Sequence, residues 1–383
     1  DVARKQQLPI VMYTEGGGGR PGDVDVQIAN SGLTVPTFAR WAALSGVVPR
    51  IAVAHGYCFA GNAALFGSAD LGIATRRSFL GMAGPAMIEG GGLGRFRPDE
   101  IGGIEVQSPN GVVDLVVEDE AEATRRAKQL LGYFQGPTPA GPAPDPTPLH
   151  DALPADRRFS YKIRPIVTCL ADPDTFLELG RDHGGSLVTG LLRIEGRPLG
   201  VLANDTRVLC GAIDSAASRK ASRFLRLLDA FGLPVLSLCD TPGFMVGPES
   251  EAEGAVREMS ELFVAGAQVR SPWVCVFLRK GYGLGAMAMA GGSLDRPDLT
   301  VAWPQGEFGA MGLEGAVRLG FAKELEAAPP EAREARFEEL VGELYARGRA
   351  TETAAYLEID AVIDPVRTRP TIAAALRSVS ERR

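Results

Sequence analysis

Two short stretches have the residue types and spacing for chemistry, "GYCFAGNAALFGSAD" (residues 56–70) and "GYGLGAMAMAGGSLD" (residues 281–295). Each follows an apolar run and consists mostly of Gly, Ala and other compact residues. Neither holds a Ser–His–Asp set or a pair of carboxylates. What such a stretch offers is its backbone. A strand that turns into a helix leaves the first helical N–H groups without internal partners, and the helix dipole there favours negative charge. Small side chains let a ligand atom approach those groups. The chemistry is stabilisation of an oxyanion such as an enolate, which needs no nucleophile. Close strand–helix packing also selects Gly and Ala, so composition alone leaves both readings open.

Other candidates are less specific. His55 precedes the first turn and reads as a buried, hydrogen-bonded imidazole; His150 and His183 fall in a linker and a polar turn. "TEGGGGRPGD" (residues 14–23) lacks the Gly-Lys-Ser/Thr ending of a P-loop, and "GGGLGR" (residues 90–95) follows no clear strand, so neither is a nucleotide fingerprint. "DTPGF" from Asp240 ends a strand and serves either a pocket or a plain turn. Arg279 and Lys280 end another strand, where cations are ordinarily solvated.

The elements that position these turns emerge from the rest of the chain. It has 383 residues, 45% hydrophobic and 23% charged, and a formal net charge of −7. Such a chain builds a sizeable core in two or three domains, and its sign argues against nucleic acid. Five scattered cysteines, with no CxxC pair, read as reduced cytoplasmic thiols and not as a metal site. No apolar run approaches the roughly 18 residues of a membrane span. Residues 136–158 are Pro-rich and read as a linker, between halves at 1–135 and 159–383. Residues 120–134 read as an amphipathic helix, and "SLVTGLLRIEGRPLGVLAND" reads as two strands turning at Gly196 before a helix around "SRKASRFLRLLDAFG". Residues 322–348 read as helical, and the end as strand, turn and helix. Alternating strands and helices imply an α/β fold. "LPIVMYTEGG" and "LPVLSLCDTPG" are related by an offset of 225 residues, and the same offset aligns the two turns, matching Gly56 with Gly281, Tyr57 with Tyr282 and Asp70 with Asp295. This predicts an internal duplication. Only seven residues precede Leu8, against roughly 75 before Leu233 in the second half, so the opening strands of the first copy are expected to be missing.

As a set, "SGVVPRIAVAHGYCFAG", "GRPLGVLAND", "ASRKASRFLRLLDAFGLPVLSLCDTPGF", "RKGYGLGAMAM", "AWPQGEFGAMGLEGAV" and "IDAVIDPVRTRP" resemble the carboxyltransferase component of biotin-dependent acyl-CoA carboxylases, in order and over nearly the whole chain. The resemblance implies two tandem crotonase-like domains, each a ββα superhelix with one oxyanion hole. One hole faces the acyl-CoA thioester, the other the ureido carbonyl of biotin. It places the first hole on Ala60 and Gly61, where Ala60 replaces a common Gly, and the second on Leu284, Gly285 and Ala286. The implied lining residues are Gly17, Gly18, Tyr57, Phe59, Asp240, Gly243, Phe244, Tyr282 and Met287. Met287 stands where short-chain members often have a polar residue, which points to a longer or branched acyl chain. The implied partners are a biotin carboxyl carrier and a biotin carboxylase, separate or fused upstream, with the active site between subunits of a dimer-based hexamer. No metal is implied. The alternatives are a biotin-dependent acyl-CoA decarboxylase, a crotonase-type hydratase or isomerase, which needs a Glu pair that Glu15 and Glu89 do not supply, and a non-catalytic scaffold.

Overall fold

The structure is a computed structural model that describes residues 1–17 and 33–380. The chain forms two compact units, Asp1–Gly136 with Leu179–His183, and Pro137–Glu178 with Gly184–Arg383.

In the first unit, β1 (Ile10–Tyr13), β2 (Arg50–Ala54), β4 (Leu71–Thr75) and β6 (Leu115–Val117) form a parallel sheet in the order β1-β2-β4-β6. β3 (Tyr57–Phe59) and β5 (Phe79–Gly81) pair in a second, two-stranded sheet. Strands β2 and β4 are buried at every position, as a parallel sheet covered on both faces requires. The core gathers Trp41, Val48, Cys58, Phe66 and Leu80 around them.

In the second unit, β7 (Leu177–Leu179), β8 (Leu187–Ile194), β9 (Arg197–Asn204), β10 (Val235–Thr241), β11 (Trp273–Tyr282), β12 (Leu299–Ala302) and β14 (Ala361–Val362) take the order β14-β12-β11-β10-β9-β8-β7, with β13 (Glu307–Gly309) pairing β11. β8 and β9 are the expected hairpin. Glu195 and Gly196 at its tip both have positive φ, 50° and 75°, the backbone of a tight hairpin turn. The helix Ser215–Ala230 starts where Asp214 accepts the Ala217 N–H, and its apolar face is buried. The charged stretch forms two helices, Ala322–Ala327 and Arg333–Arg347, and the C-terminus closes with Thr368–Ser380. Of residues 136–158, expected as a linker, those from Pro137 onward belong to this unit. Leu149 is buried in its core, and Thr138 N–H donates to Gly196 O at 3.0 Å.

The duplication is visible as a repeated clasp. Arg50 N–H donates to Asp70 Oδ2 at 2.8 Å, and Asp70 N–H returns a bond to Arg50 O at 3.0 Å. Gly72 with Asp114, Trp273 with Asp298, and Thr300 with Asp360 repeat the same reciprocal pair. These clasps match Asp70 with Asp298, not with Asp295. Strand register matches Ile10 with Val235, as the sequence offset does, but Arg50 with Trp273. The single offset therefore fails inside each copy, because loops of different length separate equivalent strands.

Candidate active site

In the first unit β3 ends at Phe59 and the helix Gly61–Gly67 begins at once, with Ala60 between them. Ala60 has φ 55° and ψ −123°, a backbone that residues with a Cβ rarely adopt. Its own N–H donates to Gly81 O at 2.9 Å. It is therefore the pivot of the turn, not a free donor. The N–H groups of Gly61, Asn62 and Ala63 open the helix and have no partner among the described residues. Asn62 Nδ2 donates to Glu15 O at 2.7 Å and ties this helix start to the loop after β1. A Cβ on Gly16 would lie 2.1 Å from that Nδ2, so a larger residue there would have to displace the Asn62 amide. Gly17 is exposed beside it, and its N–H has no partner among the described residues. Gly18 lies outside the described residues. Tyr57 is exposed and packs on Phe79 with centroids 5.5 Å apart. Phe59 is buried, packs against Gly81 and Gly84, and presents no ligand-facing surface.

Strain of this kind costs about 1–3 kcal/mol, and extra chain entropy in Gly offsets about 0.5–1 kcal/mol of the relief. Ala60→Gly is expected to raise the melting temperature by a few degrees, read by thermal denaturation, with activity retained because the backbone donors are unchanged. A lower melting temperature would show that contacts of the Ala60 methyl outweigh its strain.

The second unit repeats the geometry. β11 ends at Tyr282, Gly283 takes φ 55°, and the helix proceeds through Leu284, Gly285 and Ala286. β3 pairs β5 as β11 pairs β13, so Phe59 matches Tyr282, Ala60 matches Gly283 and Gly61 matches Leu284. The N–H groups of Leu284, Gly285 and Ala286 have no partner among the described residues. The helix start again lies against the loop after the strand equivalent to β1, here β10. A Cβ on Gly285 would sit 2.6 to 3.0 Å from Gly243 backbone atoms. Leu284 is 59% exposed and Met287 37%, two apolar side chains open to solvent beside the free N–H groups. Phe244 is half-buried and meets Phe263 edge-on at 5.9 Å.

Several assigned residues prove internal. Tyr282 is buried, and its hydroxyl donates to Glu307 Oε1 at 2.8 Å. Asp240 is 0% exposed and ion-paired with Arg279, itself 2% exposed, through Nε at 3.0 Å. Neither Asp240 nor Tyr282 is open to a ligand, and Arg279 is not a solvated strand-end cation. His55 is also not the satisfied core imidazole expected. Its ring is half-buried, Nε2 stands 3.6 Å from Glu120 Oε1, and Nδ1 has no partner among the described residues. Asn62, Gly16 and Glu307 were not singled out from sequence. Only the spacing of Asn62 within the first turn could have drawn attention.

Burial pushes the Glu307 carboxyl above its ordinary value, against the Tyr282 hydrogen bond. Its contribution to stability is therefore full below that ordinary value and lost as pH rises through the raised folded value. Glu307→Gln keeps an acceptor for Tyr282 and cannot ionise. Its melting temperature should gain on wild type as pH rises from about 5 to about 8; a gap that stays constant across that range would contradict the assignment.

A family model described as "Carboxyl transferase domain" matches residues 1–383. This chain belongs to the carboxyltransferase family of biotin-dependent acyl-CoA carboxylases. Among its relatives, the methylmalonyl-CoA carboxyltransferase 12S subunit of Propionibacterium freudenreichii subsp. shermanii is 33% identical, over 98% of this chain and 72% of its own length. The acetyl-/propionyl-coenzyme A carboxylase beta6 subunit of Mycobacterium tuberculosis is 34% identical, over 100% and 81%. Among solved structures, a single-chain, multi-domain long-chain acyl-CoA carboxylase superimposes with a TM-score of 0.90 at 50% identity, over 98% of this chain. The present chain spans 36% of that chain's length. The transcarboxylase 12S hexamer, with methylmalonyl-CoA bound, gives a TM-score of 0.89 at 30% identity, over 99% of this chain and 74% of its own. The tandem crotonase-like architecture is that of these carboxyltransferases. Among the described residues no helix is long and apolar enough to cross a membrane, and no cluster of three or more His, Cys, Asp or Glu could hold a metal ion.

Proposed function

We propose that this chain transfers a carboxyl group to the α-carbon of an acyl-CoA, with each turn holding one oxygen on which negative charge develops. The observation that carries this reading is the pair of equivalent turns, each with free N–H groups and no reactive side chain. Gly61, beside Gly17, supplies donors for one oxygen; Leu284 and Gly285 supply donors for the other. Carboxybiotin, brought by a carrier domain or protein, supplies the carboxyl group. The chain itself contributes positioning and preorganised dipoles. Ala60 and Gly283 act by turning the backbone so that the next N–H points outward.

The acyl chain is read as longer than propionyl. Leu284 and Met287 give the second turn an exposed apolar flank, and Met adapts to varied apolar shapes. The high identity to a long-chain enzyme supports the same choice. A biotin carboxylase and a carrier are the expected partners, in an assembly like the 12S hexamer.

The test is transfer of the carboxyl group from malonyl-CoA, methylmalonyl-CoA and longer 2-carboxyacyl-CoA esters to free biotin. Transfer that is fastest with the longer esters supports the reading. Transfer confined to malonyl- or methylmalonyl-CoA would overturn the chain-length assignment alone. No transfer from any ester, by a folded oligomer, would overturn the function.

A further inference from the structure

The second turn stands next to an irregularity in its own sheet. Cys239 pairs with Phe277, yet Thr241 pairs with Gly281, so two steps along β10 oppose four along β11. Bulges of this kind bend a strand and re-aim the residues beyond them. Beyond this one lie Tyr282, Gly283 and the free N–H groups of Leu284 and Gly285.

Asp240 is the residue of β10 inside the irregularity. Its Oδ1 accepts the Lys280 N–H at 3.2 Å, and its Oδ2 accepts from Arg279 Nε at 3.0 Å. The carboxylate thus replaces the regular ladder where the ladder fails. Its own N–H donates to Asn204 Oδ1 at 3.1 Å, which anchors it to β9. Arg279 Nη1 donates to Phe159 O at 3.0 Å, and the guanidinium lies over the Tyr161 ring, 5.1 Å from its centre. Arg279 Nη2 has no partner among the described residues. A buried ion pair that is not fully satisfied is poor evidence for stability, since an apolar pair of like volume often serves as well. Its geometry answers a different need.

The first unit shows the same device in a simpler form. The strand register matches Ile10 with Val235, and so Glu15 with Asp240. The Glu15 carboxylate accepts the His55 N–H, in the gap between β2 and β3 that precedes the first turn. Glu15 is exposed and pairs with no guanidinium among the described residues, whereas Asp240 is sealed in with Arg279.

We infer that Asp240, locked by Arg279, is a positioning residue for carboxyl transfer: it struts the bulge of β11 and so aims the Leu284 and Gly285 N–H groups. It acts through the backbone and touches no ligand. The inference rests on the proposed function of the second turn.

The test compares wild type with Asp240→Asn and Arg279→Lys in the biotin-transfer assay, together with amide hydrogen exchange over residues 281–286. In Asp240→Asn the side-chain amide still accepts the Lys280 N–H but turns a donor toward Arg279. In Arg279→Lys the ammonium keeps the charge but cannot hold both Asp240 and Phe159 O. Both variants are expected to lose roughly 10- to 100-fold in kcat, comparable to misplacing an oxyanion donor, with the acyl-CoA KM changed less than about threefold. Exchange should accelerate over 281–286 and stay at wild-type rates in β8 and β9. If Asp240→Asn does not fold, Arg279→Lys decides alone. Unchanged kcat in a folded variant, or kcat and KM moving together in proportion to a general loss of stability, overturns the inference. A wild type that transfers nothing overturns the proposed function instead, and the exchange rates then still decide whether Asp240 holds the turn.

Discussion

Leu284→Pro should remove most of the transfer activity while leaving the protein folded. Leu284 is the first residue of its helix with helical backbone, because Gly283 before it has φ 55°. Proline is well tolerated at that position, where the N–H has no helical partner to lose. The side chain is exposed, so little packing is lost. Gly283 has no Cβ to meet the proline ring. What disappears is one N–H donor at the second turn. Loss of a single oxyanion-hole donor costs about 100- to 1,000-fold in kcat, or about 2.7–4 kcal/mol. The check is kcat and acyl-CoA KM in the biotin-transfer assay, beside a thermal melt. Full activity in a folded Leu284→Pro would show that this N–H holds no oxygen. Gly285→Pro also deletes a donor but is a poorer probe. The added Cβ would meet the Gly243 backbone at 2.6 Å, and the Thr241–Gly243 turn would have to move. For the same reason Gly285→Ala, which keeps its N–H, should lose both activity and stability.

The largest effect on stability is expected from Asp70→Ala. Asp70 closes a clasp on β2 and also neutralises Arg50, whose Nε and Nη2 donate to its two oxygens at 3.2 and 2.7 Å. The guanidinium is buried, stands over the Trp41 ring at 5.3 Å and donates from Nη1 to Trp41 O. Truncating Asp70 leaves that charge in the core of the first unit. Breaking a buried pair on one side costs about 3–5 kcal/mol, a drop of roughly 10 °C or more in melting temperature for a domain of this size. Replacing both partners, as in Arg50→Met with Asp70→Ala, should recover part of the loss. Asp298→Ala opens the equivalent clasp, where Trp273 brings no guanidinium, and should cost less. Calorimetry of wild type and these three variants checks the order. An Asp70→Ala melt within about 2–3 °C of wild type would contradict this account of the core.

Much of the fold was legible because its signals are local. The hairpin from Leu187 to Asn204 is announced by two apolar runs around "EGR", and the positive φ of Glu195 and Gly196 is what that turn demands. The helix Glu120–Tyr133 is expected from its amphipathic pattern, and the structure adds its cap, Asp119, which accepts the Glu122 N–H at 2.7 Å. The two small-residue turns were legible for the same reason. An oxyanion site built from backbone needs Gly and Ala in the sequence wherever it occurs.

The matching of the two copies was less legible. Identities such as Gly56 with Gly281 suggested one offset, yet paired strands set Ala60 against Gly283 and Gly61 against Leu284. Which N–H groups are free also escaped sequence, since Ala60 commits its own to Gly81, far along the chain. Asp240 and Tyr282, read as lining residues, face inward to Arg279 and Glu307.

From the sequence alone come the α/β class, the duplication, the place of both turns and the kind of chemistry they offer, because each is written in neighbouring residues. The tertiary structure alone decides which donors remain unpaired, how the turns correspond, and whether a polar side chain faces a ligand or a buried partner. Those depend on strands far apart in the chain, whose pairing and bulges no local pattern records.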